Sequence, residues 1–199
     1  MKRKRGVPVH LFNQRSVAEI LQAVRLTGAL VGLAEEADAL ATRLGAGLQR
    51  HAEAAAALPR RPRMFFEEWH EPLISGIRWC SELMELVGGV DVCAESRASQ
   101  GAQGRIFQPE EVARRDPEGV VASWCGRKAK PEKIRARPGW TGVRAVRDDQ
   151  LYEIKSTVIL QPGPAALTEG VDQLARIVAA VARGEQLGRP REGDLRSAA

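Results

Sequence analysis

Residues 63–92 read RMFFEEWHEPLISGIRWCSELMELVGGVDV, and this stretch decides the fold. Arg63-Met64-Phe65-Phe66-Glu67 is a short apolar run with aromatic residues, which predicts a strand. A loop, Glu68-Trp69-His70-Glu71-Pro72, leads into a helix near Ile77 to Val87. Gly88-Gly89 ends that helix, because glycine tolerates the left-handed backbone that closes a helix. Val90-Asp91-Val92 then starts another strand. Strand, helix and strand in succession are the unit of an α/β sheet.

The same alternation continues downstream. Pro109-Glu110-Glu111-Val112 opens a helix that stops near Asp116-Pro117, and Gly119-Val120-Val121-Ala122-Ser123 is a buried strand with Trp124 at its carboxyl end. Pro131 to Arg135 forms a short helix before the turn Pro138-Gly139-Trp140. Leu151-Tyr152-Glu153-Ile154 is a further strand. Pro162-Gly163-Pro164 starts a last amphipathic helix through Leu167, Val171, Leu174, Ile177, Val178 and Val181. Upstream, Val7 to Phe12 predicts a short strand. Ser16 with Glu19 three residues on is a capping box that starts a helix ending around Gly28 to Gly32. Leu33, Ala37, Leu40, Leu44 and Leu48 put one apolar face on a long helix from Ala34 to Leu58, which Pro59-Arg60-Arg61-Pro62 stops. The expectation is an open α/β sheet covered by helices, preceded by one long helix, with residues 185–199 a flexible tail.

Composition narrows the class without naming a function. Of 199 residues, 44% are hydrophobic and 28% charged, which is globular and argues against disorder. The net charge of +5 is concentrated at Lys2 to Arg5, at Arg189, Arg191 and Arg196, and in a knot of Arg127, Lys128, Lys130, Lys133, Arg135 and Arg137. With no nucleic-acid motif these clusters read as solvated surface, and no nucleic-acid partner is expected. Cys80, Cys93 and Cys125 have no CxxC spacing, so they predict free, buried thiols rather than a zinc or disulfide framework. No apolar run approaches the ~18 residues that span a bilayer. Val7 to Phe12 is too short for the core of an export signal, which implies a cytoplasmic chain as written.

Several of these pieces, taken in order, resemble the class III periplasmic solute-binding proteins of ABC importers, in particular their cobalamin-binding branch. Phe65 to Gly76 is similar to the strand and loop that open that family's carboxyl-terminal lobe. Trp79 to Gly89 resembles its next helix and Gly-Gly turn. Glu110-Glu111-Val112 with Asp116-Pro117 resembles the segment before Ser123-Trp124. Pro138-Gly139-Trp140, Ala145-Val146-Arg147 and Pro162-Gly163-Pro164 follow in the family's order, so the resemblance covers about Val7 to Arg183.

The resemblance implies two α/β lobes joined by a rigid helix, with ligand in the cleft between them. Residues 34–58 correspond to the linking helix and residues 59–184 to the substrate-binding lobe. Residues 1–33 correspond to the last strand and helix of the first lobe, most of which this sequence lacks. The family implies a non-catalytic protein, with no cofactor, that recognises cobalamin or another corrinoid; the alternatives are an iron-siderophore, or a cytosolic module that has lost transport. It also implies a periplasmic location. Ligand contacts are expected from Trp69, His70, Pro72, Trp124 and Trp140. Such proteins present an acidic residue on each lobe to their permease, but Val158-Ile159-Leu160-Gln161 has none, which weakens the expected ABC permease contact. Left without a first lobe, residues 7–31 are expected to form a homo-oligomer contact.

Physical chemistry independently favours the same surface. In open α/β sheets ligands sit outside the carboxyl ends of strands, where Trp69-His70 and Trp124 fall. Flat indole rings suit broad, rigid ligands, yet tryptophan is also an ordinary core residue, and Trp79 inside its helix reads as core. His70 is either an axial metal ligand or a hydrogen-bonding loop residue. Cys125 beside Arg127 and Lys128 lacks any placed base. Glu67, Glu68 and Glu71 are either an acid-base group or a solvated cluster.

Overall fold

The parallel strands are the frame, and they form because their residues are apolar on both faces. In the computed structural model, which describes residues 9–187, β1 (Arg63–His70) lies at the centre of the sheet. It pairs in parallel with β3 (Val90–Asp91) and β4 (Gly119–Ala122), and β5 (Leu151–Glu153) adds in parallel to β4. β2 (Leu73–Ser75) pairs antiparallel with the end of β1. Along β1 the side chains alternate: Met64 and Phe66 enter one core, Phe65 the other. Val120 and Val121 of β4 split between the two cores in the same way and are fully buried. A parallel sheet covered on both faces needs this continuous apolarity.

One face is covered by α1 (Val17–Leu30), α2 (Ala34–Ala55), α3 (Arg78–Leu86) and α8 (Val171–Arg183). The other carries α4 (Pro109–Arg114), α5 (Pro131–Arg135) and α6 (Arg144–Arg147), which contribute Val112, Ile134 and Ala145. The expected α/β lobe is therefore present, as three layers. α7 (Ser156–Ile159) and a π-helical turn at Ala166–Gly170 connect β5 to α8. At 22 residues α2 extends for roughly 33 Å and packs on α8 and α3.

The capping box at the start of α1 forms as read: Ser16 Oγ accepts from the Glu19 backbone, and Glu19 returns a bond from the Ser16 N–H at 3.0 Å. α1 then folds along α2, and Gly28 makes that approach possible. A methyl group there would overlap the Ala37 side chain.

Three expectations are corrected. Residues 9–12 form no strand, since no neighbour offers them a ladder; Val9 and Leu11 are exposed, and Val7 and Pro8 lie outside the described residues, as do residues 188–199 of the predicted tail. The apolar face of α1 is not left open: Ile20 is fully buried in the larger core, and Val17 N–H donates to Glu82 of α3 at 2.8 Å. Phe12, Leu26, Leu30, Val31 and Leu33 remain exposed around it. The segment read as a loop from Glu68 to Pro72 is a β-hairpin, with Trp69 opposite Ile74 and His70 opposite Leu73. Its two-residue turn is Glu71-Pro72, with a cis peptide bond. As read, helical backbone starts at Pro164; a π turn at Ala166–Gly170 interrupts it before the regular α-helix from Val171. Among the described residues, no helix is long and apolar enough to cross a membrane.

Candidate functional site

The ladder between β1 and β4 ends at Glu67 opposite Ala122, closed by the Ser123 N–H donating to Glu67 O at 2.8 Å. β1 continues past that point into its hairpin, and β4 turns off. Trp124 therefore arrives beside His70 at the carboxyl edge of the sheet. The two rings stack with centroids 4.3 Å apart and planes 25° from parallel. Trp69 leans on the other side of His70 at 5.3 Å. Its indole N–H donates to Glu71 O at 2.8 Å, which ties it to the hairpin turn.

Three of the five expected residues thus come together: Trp69, His70 and Trp124. Trp69 and His70 are half-buried, but Trp124 is only 2% exposed, so in this chain it supports the run from beneath. Pro72 is exposed at the hairpin tip. Trp140 does not join them. The turn at Gly139, where φ is 78°, directs its side chain inward, and it is fully buried against Phe65 with its N–H on Pro109 O at 2.9 Å. The expected arrangement of three tryptophans on one open face is replaced by a run of Trp69, His70 and the edge of Trp124. Trp79 is core, as read, with its N–H on Ile159 O.

Of the acidic cluster, Glu71 is exposed, but Glu67 and Glu68 are each paired with an arginine. Glu67 is fully buried, and both its oxygens accept from the Arg137 guanidinium, at 2.6 and 2.7 Å, while the Trp124 N–H donates to Oε1 at 2.9 Å. Glu68 accepts from Arg105 at 2.6 and 3.1 Å, and Arg105 also donates to Ser75 O. Both arginines are nearly buried, so each pair is shielded from water and fixes the geometry of the strand end. Sequence reasoning missed Arg137 and Arg105 because their partners are 70 and 37 residues away. For Arg137 the one signal was the basic knot, read only as surface; Arg105 lies outside it.

Lys133 approaches His70 Nε2 at 3.3 Å. An ammonium only donates, so Nε2 is the acceptor and the imidazole is neutral, with its hydrogen on Nδ1. Nδ1 is buried and has no partner among the described residues. Burial, then the Lys133 charge, holds the imidazole below its ordinary value of 6.5. As pH falls, the unfolded chain takes up this proton first. His70 therefore lowers stability as pH drops from about 6.5 toward the folded value, and contributes no further slope below it. A proton NMR titration should find the His70 imidazole titrating below 6.5, and His70→Gln should remove that part of the pH dependence of unfolding. An imidazole at or above 6.5 would overturn the placement of Lys133.

Of the thiols, Cys80 and Cys93 are buried as expected, but Cys125 is exposed. Burial raises Cys80, and pushes Cys93 up to about 12, so neither supplies a thiolate at neutral pH. No group of three metal-ligating side chains occurs among the described residues. Surface depressions at Ala34, Asp38 and Arg43 on α2, and at Arg60, Glu118 and Arg144, do not touch the aromatic run.

Comparison with known proteins agrees with this architecture. An uncharacterized ABC transporter substrate-binding lipoprotein of Bacillus subtilis (strain 168), YvrC, is 23% identical over 176 residues, covering 87% of this chain and 54% of its own length. The chain thus spans about half of that relative. The periplasmic heme-binding protein RhuT of Roseiflexus sp. RS-1 superposes with a TM-score of 0.72 at 15% identity, over 85% of this chain and 65% of its own. The periplasmic vitamin B12-binding protein BtuF of Vibrio cholerae gives 0.65 at 20% identity, over 89% and 67%. These likenesses carry the fold. The sequence profile of the periplasmic binding protein family matches residues 1–158, most of the chain, and on that ground the chain belongs to the periplasmic binding protein family.

Proposed function

We propose that this chain is the ligand-binding part of an ABC-type substrate-binding protein, non-catalytic, whose cargo is cobalamin or a related corrinoid. The observation that carries the reading is the run of Trp69, His70 and Trp124 at the carboxyl edge of the parallel sheet. A flat, rigid macrocycle gains most from rings that are themselves rigid and already held in place. Trp69 is pinned by its bond to Glu71, and His70 by its stack on a buried tryptophan. The reading places the protein outside the cytoplasm, where it would hand its cargo to a permease. It also favours a macrocycle over an iron-siderophore, because the one tyrosine, Tyr152, packs against the larger core and bonds to Gln150 rather than joining the aromatic run.

Isothermal calorimetry with cyanocobalamin tests this, with hemin and a ferric hydroxamate siderophore as comparators. Saturable heat with cyanocobalamin is expected, weakened by about tenfold or more in Trp69→Ala, the size of loss typical of an aromatic contact residue. Binding of the siderophore alone would move the reading to that class. Silence with all three would end it.

A further inference from the structure

The aromatic run is bordered by positive charge that the fold leaves uncompensated. Residues 126–137 contain six cations and one carboxylate, Glu132. Arg137 is spent on Glu67 and Arg135 on Asp149. Arg127, Lys128, Lys130 and Lys133 are exposed, and none of them pairs with a carboxylate among the described residues. Two of the four reach the run itself. The Arg127 guanidinium lies 5.4 Å from the centre of the Trp69 ring, and the Lys133 ammonium 3.3 Å from His70 Nε2.

These positions are held by the backbone. The Arg127 N–H donates to Trp124 O at 3.0 Å, Gly126 to Ser156 Oγ at 3.1 Å and Ala129 to Glu153 Oε1 at 2.7 Å. Gly126 turns the chain at a φ of 69°, where L side chains are strained. Arg127 therefore stands on an anchored turn, and Lys133 on the helix α5 that follows it, rather than on a free loop. Lys133 uses one of its three donors on the neutral imidazole, which leaves two for a ligand. Arg137 is neutralised by Glu67, and Glu71 also faces the imidazole, but the Lys133 ammonium against neutral His70 is paired with no carboxylate among the described residues, so an anion there would be favoured.

We propose that Arg127 and Lys133 form an anion-recognition rim, so that the ligand is a flat ring carrying an anionic oxygen group at its edge. The ring lies against Trp69 and His70, and the anionic group is held between the two cations. A phosphodiester on a corrin and a carboxylate on a porphyrin share this chemistry. The inference rests on the reading of a flat-ring ligand and adds its charge.

The test compares three ligands on the full chain and on Arg127→Gln/Lys133→Gln. Cyanocobalamin carries a phosphodiester, dicyanocobinamide has the same corrin ring without it, and hemin carries carboxylates. Titrations run at about 50 mM and about 500 mM salt, a range over which the Debye length falls severalfold. We expect an anionic ligand to bind about tenfold more weakly to the double variant, and to lose affinity with salt, as charge-assisted bonds at a surface do. Dicyanocobinamide should respond to neither. Cyanocobalamin as the sensitive ligand identifies the phosphodiester, and hemin the carboxylate. A second measurement needs no macrocycle. Inorganic pyrophosphate, by drawing Lys133 from His70, should raise the His70 titration midpoint in the native chain and leave it unchanged in Lys133→Gln. Equal cyanocobalamin affinity in both proteins at both salts, with no pyrophosphate effect on His70, overturns the rim and leaves the corrinoid reading intact. If no macrocycle binds, that reading falls, and the pyrophosphate shift alone decides the rim.

Discussion

Arg137→Met should destabilise the fold by about 3–5 kcal/mol, the cost of stranding a buried carboxylate. Glu67 has no exposed side-chain surface, and Arg137 only 9%. The guanidinium meets both oxygens of Glu67, so its removal leaves the carboxylate with the Trp124 N–H as its one side-chain donor. Methionine fills much of the vacated volume but solvates nothing. Glu67→Gln/Arg137→Met should recover most of the loss, because it removes the stranded charge and keeps an oxygen for the indole. Urea denaturation of the three proteins measures this. A single variant within about 0.5 kcal/mol of the native chain, the range of ordinary surface changes, would show the pair to be open to water.

How far this region was legible from the sequence depended on the range of each interaction. Strand, helix and strand from Arg63 to Val92 follow from residue type and from Gly88-Gly89, both local signals, and the structure has them. The placement of Trp69-His70 and Trp124 at one sheet edge also follows, because parallel pairing brings successive carboxyl ends together. The hairpin was missed because Glu71-Pro72 reads as a break, whereas β2 pairs back through Leu73 and Ile74. The burial of Trp140 was missed for a different reason. A Pro-Gly turn announces a change of direction but not its sense, and here the sense is set by Phe65 and the Pro109 carbonyl. Glu67 looked solvated because charged residues usually are, and its partner lies 70 positions away in a segment that looked equally solvated. Buried ion pairs between distant segments leave no periodic trace. Family resemblance named candidate contact residues, but not which of them the chain itself covers.

Trp124→Ala should cost about 3–5 kcal/mol and abolish ligand binding at once, because one side chain serves both core and site. Its indole is buried in the smaller core and donates to Glu67, while one face supports His70. Truncation would open a cavity under the hairpin, strip Glu67 of a donor and leave the imidazole without its stack. A loss of binding in that variant alone would not separate unfolding from a missing contact, so two further substitutions divide the roles. Trp124→Phe keeps a flat face for His70 but lacks the N–H, and should cost about 1–3 kcal/mol, the range for an unsatisfied buried polar group. Trp69→Ala removes a half-buried ring outside the core and should cost no more than about 1 kcal/mol while weakening ligand more than Trp124→Phe does. Thermal unfolding and calorimetry on the same samples read both quantities. If Trp69→Ala proved the more destabilising of the two, the division into a supporting tryptophan and a contacting one would be reversed. Unchanged binding in folded Trp69→Ala and Trp124→Phe would place the ligand elsewhere on the lobe.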